Sequence, residues 1–329
     1  MSPAPHRDDT GAPWTRADAA GVLVRPGPGD HKYTRGVVGL CTGSARYPGA
    51  AVLGAEAALR TGPGMLRYLG PAETARAVLA RRPECVPGPG RVQVLVLGSG
   101  MDAAEARRRW LGLRHDGTRA GAAAGPDVSA GTDGGTAGAD AVPVVLDAGA
   151  IGLVGSAVGD GHPVVVTPHA GELAALFAQA GEGRFGTRAA VEAEPELAAL
   201  TAARRWGAVV LLKGAATHVA TPRGRRLRVE VGTHWLASAG TGDVLAGCLG
   251  TVLASLAARG RSDDDALAEG AATAALLHAR AAELASGGGP LLALELAEAL
   301  APAVAELLTH AADAAPAETA GNGRDRPTP

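Results

Sequence analysis

An α/β fold, with helices on both faces of a mostly parallel sheet, is what the sequence predicts, and three observations carry the prediction. Short Val- and Leu-rich runs recur without the polar alternation of a half-exposed strand, as strands buried on both faces do. Glycine-containing turns close these runs, and helix-like stretches follow. One later segment alternates around a tight turn and reads as a hairpin.

In chain order, "GVVGLCTG" (36–43) leads into an alanine-rich helix from about Gly49 to Arg60. "GMLRYL" (64–69) leads to "PAETARAVLA", and "VQVLVLGSG" (92–100) to "MDAAEARRRWLGL". "VPVVLDAG" (142–149), "HPVVVTPHAG" (162–171) and "GAVVLLKGAA" (207–216) supply three more strands. "THVATPRGRRLRVEVG" is the hairpin, turning at Pro-Arg-Gly. The remainder is helical, over about 242–259, 264–285 and 291–309. The expectation is one layered domain over 13–310, preceded by a flexible N-terminus (1–12). "GTRAGAAAGPDVSAGTDGGTAGADA" (117–141) reads as a low-complexity insertion and 311–329 as a disordered tail.

Composition narrows the function classes. The apolar fraction of 47% suffices for a large core, and no uninterrupted apolar run reaches the length of a membrane span. The N-terminus lacks a charged-then-apolar leader pattern. Cys41, Cys85 and Cys248 are odd in number and widely spaced, which reads as reduced core thiols of a cytoplasmic protein. A net charge of −2, without basic residues clustered among aromatics, argues against a nucleic-acid partner. The chain has only two lysines, Lys32 and Lys213, against 29 arginines, so a lysine that persists is a candidate for need; Lys32 reads as a solvated surface residue.

The stretch "SAGTGDVLAG" (238–247) concentrates glycine immediately before Asp243 and a long apolar helix. Amides at a helix N-terminus are unpaired and attract an anion, and glycines let the preceding loop curl around it. Gly240, Thr241 and Gly242 therefore form a candidate anion hole. Asp243 would repel a bound phosphate unless it faces an attacking hydroxyl and takes its proton. The bare tetrapeptide would otherwise be a turn and a helix cap. It is not a Walker loop, and "GSG" (98–100) is too short for a dinucleotide fingerprint. His169 follows a strand and a proline and stands without a second His or Cys at ligand spacing, so no protein-borne metal site is expected. Glu172 is equally readable as first-turn acid of a helix, and Asp147 ends a strand where open α/β sheets bind ligands but also where a turn is capped.

Six stretches share one family pattern in order: "YPGAAVLGAEAALRTGPGML", "VLVLGSG", "VVLDAGAIGLV", "VVVTPHAGEL", "VVLLKGAATHVATPRG" and "LASAGTGDVLAGCLGTVLA". Together they resemble the ADP/ATP-dependent NAD(P)H-hydrate dehydratases, a branch of the ribokinase-like superfamily. The resemblance implies a ribokinase-like three-layer sandwich and a repair lyase that returns hydrated NADH or NADPH to NAD(P)H, with ADP the expected donor over ATP. It implies that Gly49, Gly100, His169 and Asp243 contact the hydrate and that Asp243 is the base. Lys213, Gly214, Ala215, Ala216, Thr217 and Gly242 would hold the nucleotide, with Mg2+ between its phosphates. It further implies a homo-oligomer, commonly a tetramer in the family, working alongside a separate NAD(P)H-hydrate epimerase rather than a fused one. "GSG" replaces the family's frequent Gly-Pro-Gly, and Tyr33 stands where a glycine is usual. A vitamin-precursor kinase of the same superfamily would use the same anion hole and aspartate, and is the alternative.

Overall fold

A computed structural model describes residues 10–115 and 141–314 of the chain. Ten strands form one sheet: β1 (Thr10–Pro13), β2 (Val37–Cys41), β3 (Met65–Tyr68), β4 (Val86–Pro87), β5 (Val94–Leu97), β6 (Val144–Leu146), β7 (Val164–Val166), β8 (Val209–Leu212), β9 (Ala216–Ala220) and β10 (Arg226–Glu230). Their order is β1-β10-β9-β8-β7-β6-β5-β2-β3-β4. From β4 to β8 every pairing is parallel, β9 pairs antiparallel with β8 and β10, and β1 pairs parallel with β10.

The Val/Leu runs are two-faced, as their composition requires. Val38, Leu40, Val94, Val96 and Val145 enter one apolar core, while Val37, Cys41, Leu95, Leu97, Val144 and Leu146 enter the other. Helices Pro48–Thr61, Thr241–Ala257 and Asp264–Ser286 contribute to the first core, and Ala170–Gln179 and Pro195–Trp206 to the second. The predicted three-layer sandwich is therefore the observed one, and the three cysteines are buried free thiols. Among the described residues no helix is long and apolar enough to cross a membrane.

Close packing fixes the helix that follows the glycine loop. A Cβ on Gly247 would stand 2.2 Å from the Gly54 carbonyl oxygen, and one on Gly250 would stand 2.4 Å from Val96 Cγ2. Helix Thr241–Ala257 thus lies directly against helix Pro48–Thr61 and the sheet, with its N-terminus at the carboxyl ends of the strands.

Some expectations change. Residues 10–12, assigned to a flexible N-terminus, pair in β1; an edge strand tolerates Gly11 and Pro13, which hide it from pattern reading. Helix Arg16–Val22 follows, with Thr15 and Asp18 closing a capping box. Helices Arg188–Ala193 and Pro195–Trp206 add to the predicted elements. The single helix expected over 291–309 is two, Ala293–Glu298 and Leu300–Ala314. Pro302 has no N–H to continue a helix from Glu298 and is accommodated in the first turn of the next. That last helix runs three residues beyond 311, where the tail was placed. Residues 1–9, the insertion up to residue 140 and the tail from 315 lie outside the described residues.

Candidate active site

The parallel strands end side by side, and the residues just past them converge. Ser99 follows β5, Asp147 follows β6, Thr167 follows β7 and Lys213 follows β8. Asp147 is only 3% exposed and accepts three hydrogen bonds: from Ser99 Oγ (2.7 Å), Thr167 Oγ1 (2.7 Å) and Lys213 Nζ (3.1 Å). The backbone is shaped to this purpose. Gly98 takes φ +115°, and a Cβ there would lie 2.1 Å from the Asp147 carbonyl oxygen. Ala148, next to Asp147, is the one described non-glycine residue at positive φ (45°), a sparsely populated conformation.

Each polar residue of Thr-Pro-His-x-Gly-Glu has a separate role. Thr167 donates to Asp147, and the Pro168 carbonyl accepts from the Lys213 N–H at 2.9 Å. His169 is the N-cap of helix Ala170–Gln179: its Nδ1 accepts from the Gly171 and Glu172 amides, and Glu172 Oε2 accepts from the His169 N–H at 2.8 Å. His169 is thus a helix cap whose ring also lines a cavity, with 59% of the side chain exposed.

The glycine loop has the form an anion hole needs. Gly240 is left-handed (φ +90°), and a side chain there would also collide with Leu53, its Cβ standing 2.7 Å from Cδ1. No side chain caps helix Thr241–Ala257, whose first backbone bond runs from the Val244 N–H to the Gly240 carbonyl. The Thr241 hydroxyl is turned away from the helix mouth and donates to the Leu236 and Ser238 carbonyls, both at 2.9 Å. Lys213 stands beside this turn: a Cβ on Gly242 would lie 3.6 Å from its Nζ.

The electrostatics divide the two aspartates. Burial opposes ionisation of Asp147, but Lys213 and the Ser99 and Thr167 hydroxyls outweigh it and hold the carboxyl below its ordinary range. Burial likewise opposes the Lys213 charge, and Asp147, Glu172 and Asp243 together hold the ammonium above its ordinary value. Asp243 goes the other way: burial pushes it up to about 6, the Asp147 charge adds to the rise, and Lys213 draws it partly back. A carboxylate held in its ionised form beside a lysine, next to one poised near neutrality, can chemically support proton transfer beside an anion.

A cavity of about 770 Å³ opens at this edge. Lys213 through Thr217, His169, Thr241 and Gly242 all line it, between apolar walls that include Val191, Leu236 and Leu245. Asp243, Gly240, Gly49 and Gly100 do not. Gly100 instead meets the start of helix Pro48–Thr61, where a Cβ would come 2.5 Å from Ala50 Cβ, so it and Gly49 lie together. Gly54 of that helix faces the Asp243 carbonyl, which a Cβ would approach to 3.6 Å. The sequence offers Asp147 as either a ligand contact or a turn cap, and does not single out Ser99, Thr167 or the buried His278, whose Nε2 is 2.8 Å from the Thr241 carbonyl oxygen. What the strand-end position of Asp147 does not reveal is its pairing with Lys213, for which the scarcity of lysine is the available signal.

Comparison with known proteins identifies the family. The family model described as NAD(P)H-hydrate dehydratase matches residues 38–120 and 132–301. An ADP-dependent (S)-NAD(P)H-hydrate dehydratase from Xanthomonas campestris is 38% identical over 71% of this chain and 76% of its own. A bifunctional NAD(P)H-hydrate repair enzyme from Mycobacterium tuberculosis is 37% identical over 76% of this chain but 47% of its own. This chain spans about half the length of that relative and its counterparts. The solved ADP/ATP-dependent NAD(P)H-hydrate dehydratase of Bacillus subtilis, co-crystallized with ATP/Mg2+, has the same fold, with a TM-score of 0.70 at 23% identity over 91% of this chain and 99% of that one. With a ribokinase-like sandwich and a family match across most of its length, the chain belongs to the NAD(P)H-hydrate dehydratase family.

Proposed function

We propose that the chain dehydrates hydrated NADH and NADPH to NAD(P)H with ADP as phosphoryl donor. The observation that carries the reading is Asp243, half-buried and raised to about 6, in the first turn of an uncapped helix with Lys213 alongside.

Hydroxide is a poor leaving group, so the ring hydroxyl is first made into a phosphate ester. Asp243 takes the hydroxyl proton as its oxygen attacks the terminal phosphorus of ADP, and AMP departs. The amides of the Gly240–Thr241–Gly242 turn hold the migrating phosphoryl group, and Lys213 neutralises its charge. The lone pair of the ring nitrogen then expels inorganic phosphate, and loss of a proton from the neighbouring carbon restores the dihydronicotinamide. Lys213, Gly214, Ala215, Ala216, Thr217 and Gly242 bind the nucleotide in the cavity they line. Gly49, Gly100, His169 and Asp243 bind the hydrate.

Mg2+ fits the donor set. Among the described residues no group of three or more metal-ligating side chains exists, and magnesium arriving with a nucleotide does not need one: it keeps phosphates and waters as ligands with one or two carboxylates. Of the carboxylates close enough to act on Lys213, Asp147 is buried and fully hydrogen-bonded, which leaves the partly exposed Glu172 as a ligand beside the nucleotide phosphates. When bound, the ion would neutralise phosphate charge. Homo-oligomeric assembly, a cytoplasmic location and cooperation with an NAD(P)H-hydrate epimerase complete the reading, on the family resemblance.

The test is product analysis after incubation with hydrated NADH, ADP and Mg2+. Inorganic phosphate and AMP formed in step with NADH are the expected products. A phosphorylated product that persists, with no NADH, would move the assignment to a small-molecule kinase.

A further inference from the structure

His278 is a titratable group that the chemistry above leaves unused. It lies on helix Asp264–Ser286, is 8% exposed and lines the cavity beside Thr241 and Gly242. Its Nε2 is 2.8 Å from the Thr241 carbonyl oxygen. A carbonyl only accepts, so Nε2 carries the proton. Burial pushes the imidazole down to about 4, with the charge of Lys213 adding to the fall, so at neutral pH the ring is an uncharged donor.

The bonded carbonyl is significant because of what shares its peptide. The Thr241 C=O and the Gly242 N–H belong to one planar unit and point in opposite directions. A donor that pins the carbonyl therefore sets the direction of the Gly242 amide. Gly242 has no side chain to hold it, and Gly240 on the other side of Thr241 is equally permissive. The described anchors outside the helix ladder are the Thr241 hydroxyl, held by Leu236 and Ser238, and the His278 ring. A hydrogen bond to the carbonyl also polarises the amide it belongs to, making the N–H a better donor.

We propose that His278 is a positioning residue: by holding the Thr241 carbonyl it aims the Gly242 amide at the phosphoryl group bound at the helix mouth. The assignment of a phosphoryl group rests on the function proposed above; the fixing of the amide does not.

Two variants of equal charge separate this role from simple core filling. His278→Met keeps the volume and loses the donor, and His278→Gln carries an N–H where Nε2 stood. Turnover of hydrated NADH with ADP is measured together with the Gly242 amide resonance. Labelling Thr carbonyl carbons and Gly nitrogens selects that resonance among the four Thr-Gly pairs of the chain, 10–11, 42–43, 61–62 and 241–242. The expected result for His278→Met is a kcat lowered by about tenfold or more, short of the ~10²–10³ for a deleted donor, with the KM for ADP changed less. The Gly242 signal moves while the signals at Gly11, Gly43 and Gly62 stay. His278→Gln restores both kcat and the resonance. If both variants melt lower yet keep kcat and the Gly242 signal, or if Gln fails to restore what Met loses in a folded protein, the proposal is overturned. If the resonance behaves as described but wild-type protein does not act on hydrated NADH, the positioning role stands and the proposed function falls.

Discussion

The ammonium of Lys213 and the carboxylate of Asp147 form an ion pair across the ends of two parallel strands, Nζ to Oδ1 at 3.1 Å, with the Asp147 side chain 4% exposed. Breaking such a pair from one side leaves a buried charge without its partner. Lys213→Met is expected to lose about 3 kcal/mol of stability, the lower end of the range for buried pairs because the lysine is 23% exposed. Adding Asp147→Asn should recover part of that loss, since the uncompensated charge goes with it. Denaturant unfolding of the wild type, both single variants and the double variant measures the coupling.

Asp243 works against stability. Its carboxyl has an ordinary value of 3.8 and sits at about 6 in the fold. Between those values the folded protein holds a proton that the unfolded chain releases, so this contribution falls as pH rises through the interval and the loss is complete above about 6. The cost is on the order of 2 kcal/mol, discounted for partial exposure. Asp243→Asn should therefore raise the melting temperature at pH 8 and leave it nearly unchanged at pH 4. The same substitution should lower kcat by about 10²–10⁴-fold, the range for loss of a general base, while ADP still binds.

A base at about 6 also sets the pH profile. The kcat/KM for hydrated NADH should rise through pH 6 as Asp243 ionises. Because the Asp147 charge is part of what raises Asp243, Asp147→Asn should shift that acid limb to lower pH. A limb that does not move would mean Asp147 acts only by holding Lys213.

Three glycines make a contrast within one helix pair. Gly247→Ala forces a methyl to 2.2 Å from the Gly54 carbonyl oxygen and should cost about 1–3 kcal/mol. Gly54→Ala meets nothing nearer than 3.6 Å and should be neutral or gain up to about 1 kcal/mol from helix propensity. Gly242→Ala also has room, but it places a methyl 3.6 Å from the Lys213 ammonium in the first turn of the helix. It should fold normally and bind ADP about tenfold more weakly, the equivalent of one charged hydrogen bond, as calorimetry would read.

The central sheet and the glycine loop are legible in the sequence for a physical reason. Strands buried on both faces must be apolar at every position, so Val94–Leu97 or Val209–Leu212 announce themselves locally. Asp243 and Lys213 stand out because glycine context and lysine scarcity mark single positions. The grouping around Asp147 does not stand out, since Ser99, Thr167 and Lys213 arrive from three other strands and only the sheet order brings them together. β1 escapes because an edge strand carrying Gly11 and Pro13 needs no apolar pattern. His278 escapes because nothing local distinguishes one histidine in an alanine-rich helix from core, although it reaches a carbonyl 37 residues earlier in the chain.

The most direct test is to mix the protein with hydrated NADH and Mg2+, add ADP or ATP separately, and follow the return of dihydronicotinamide absorbance. Recovery that requires nucleotide, proceeds with ADP and disappears in Asp243→Asn is the predicted result. No recovery with either nucleotide, from folded protein that still binds ADP, would contradict the account.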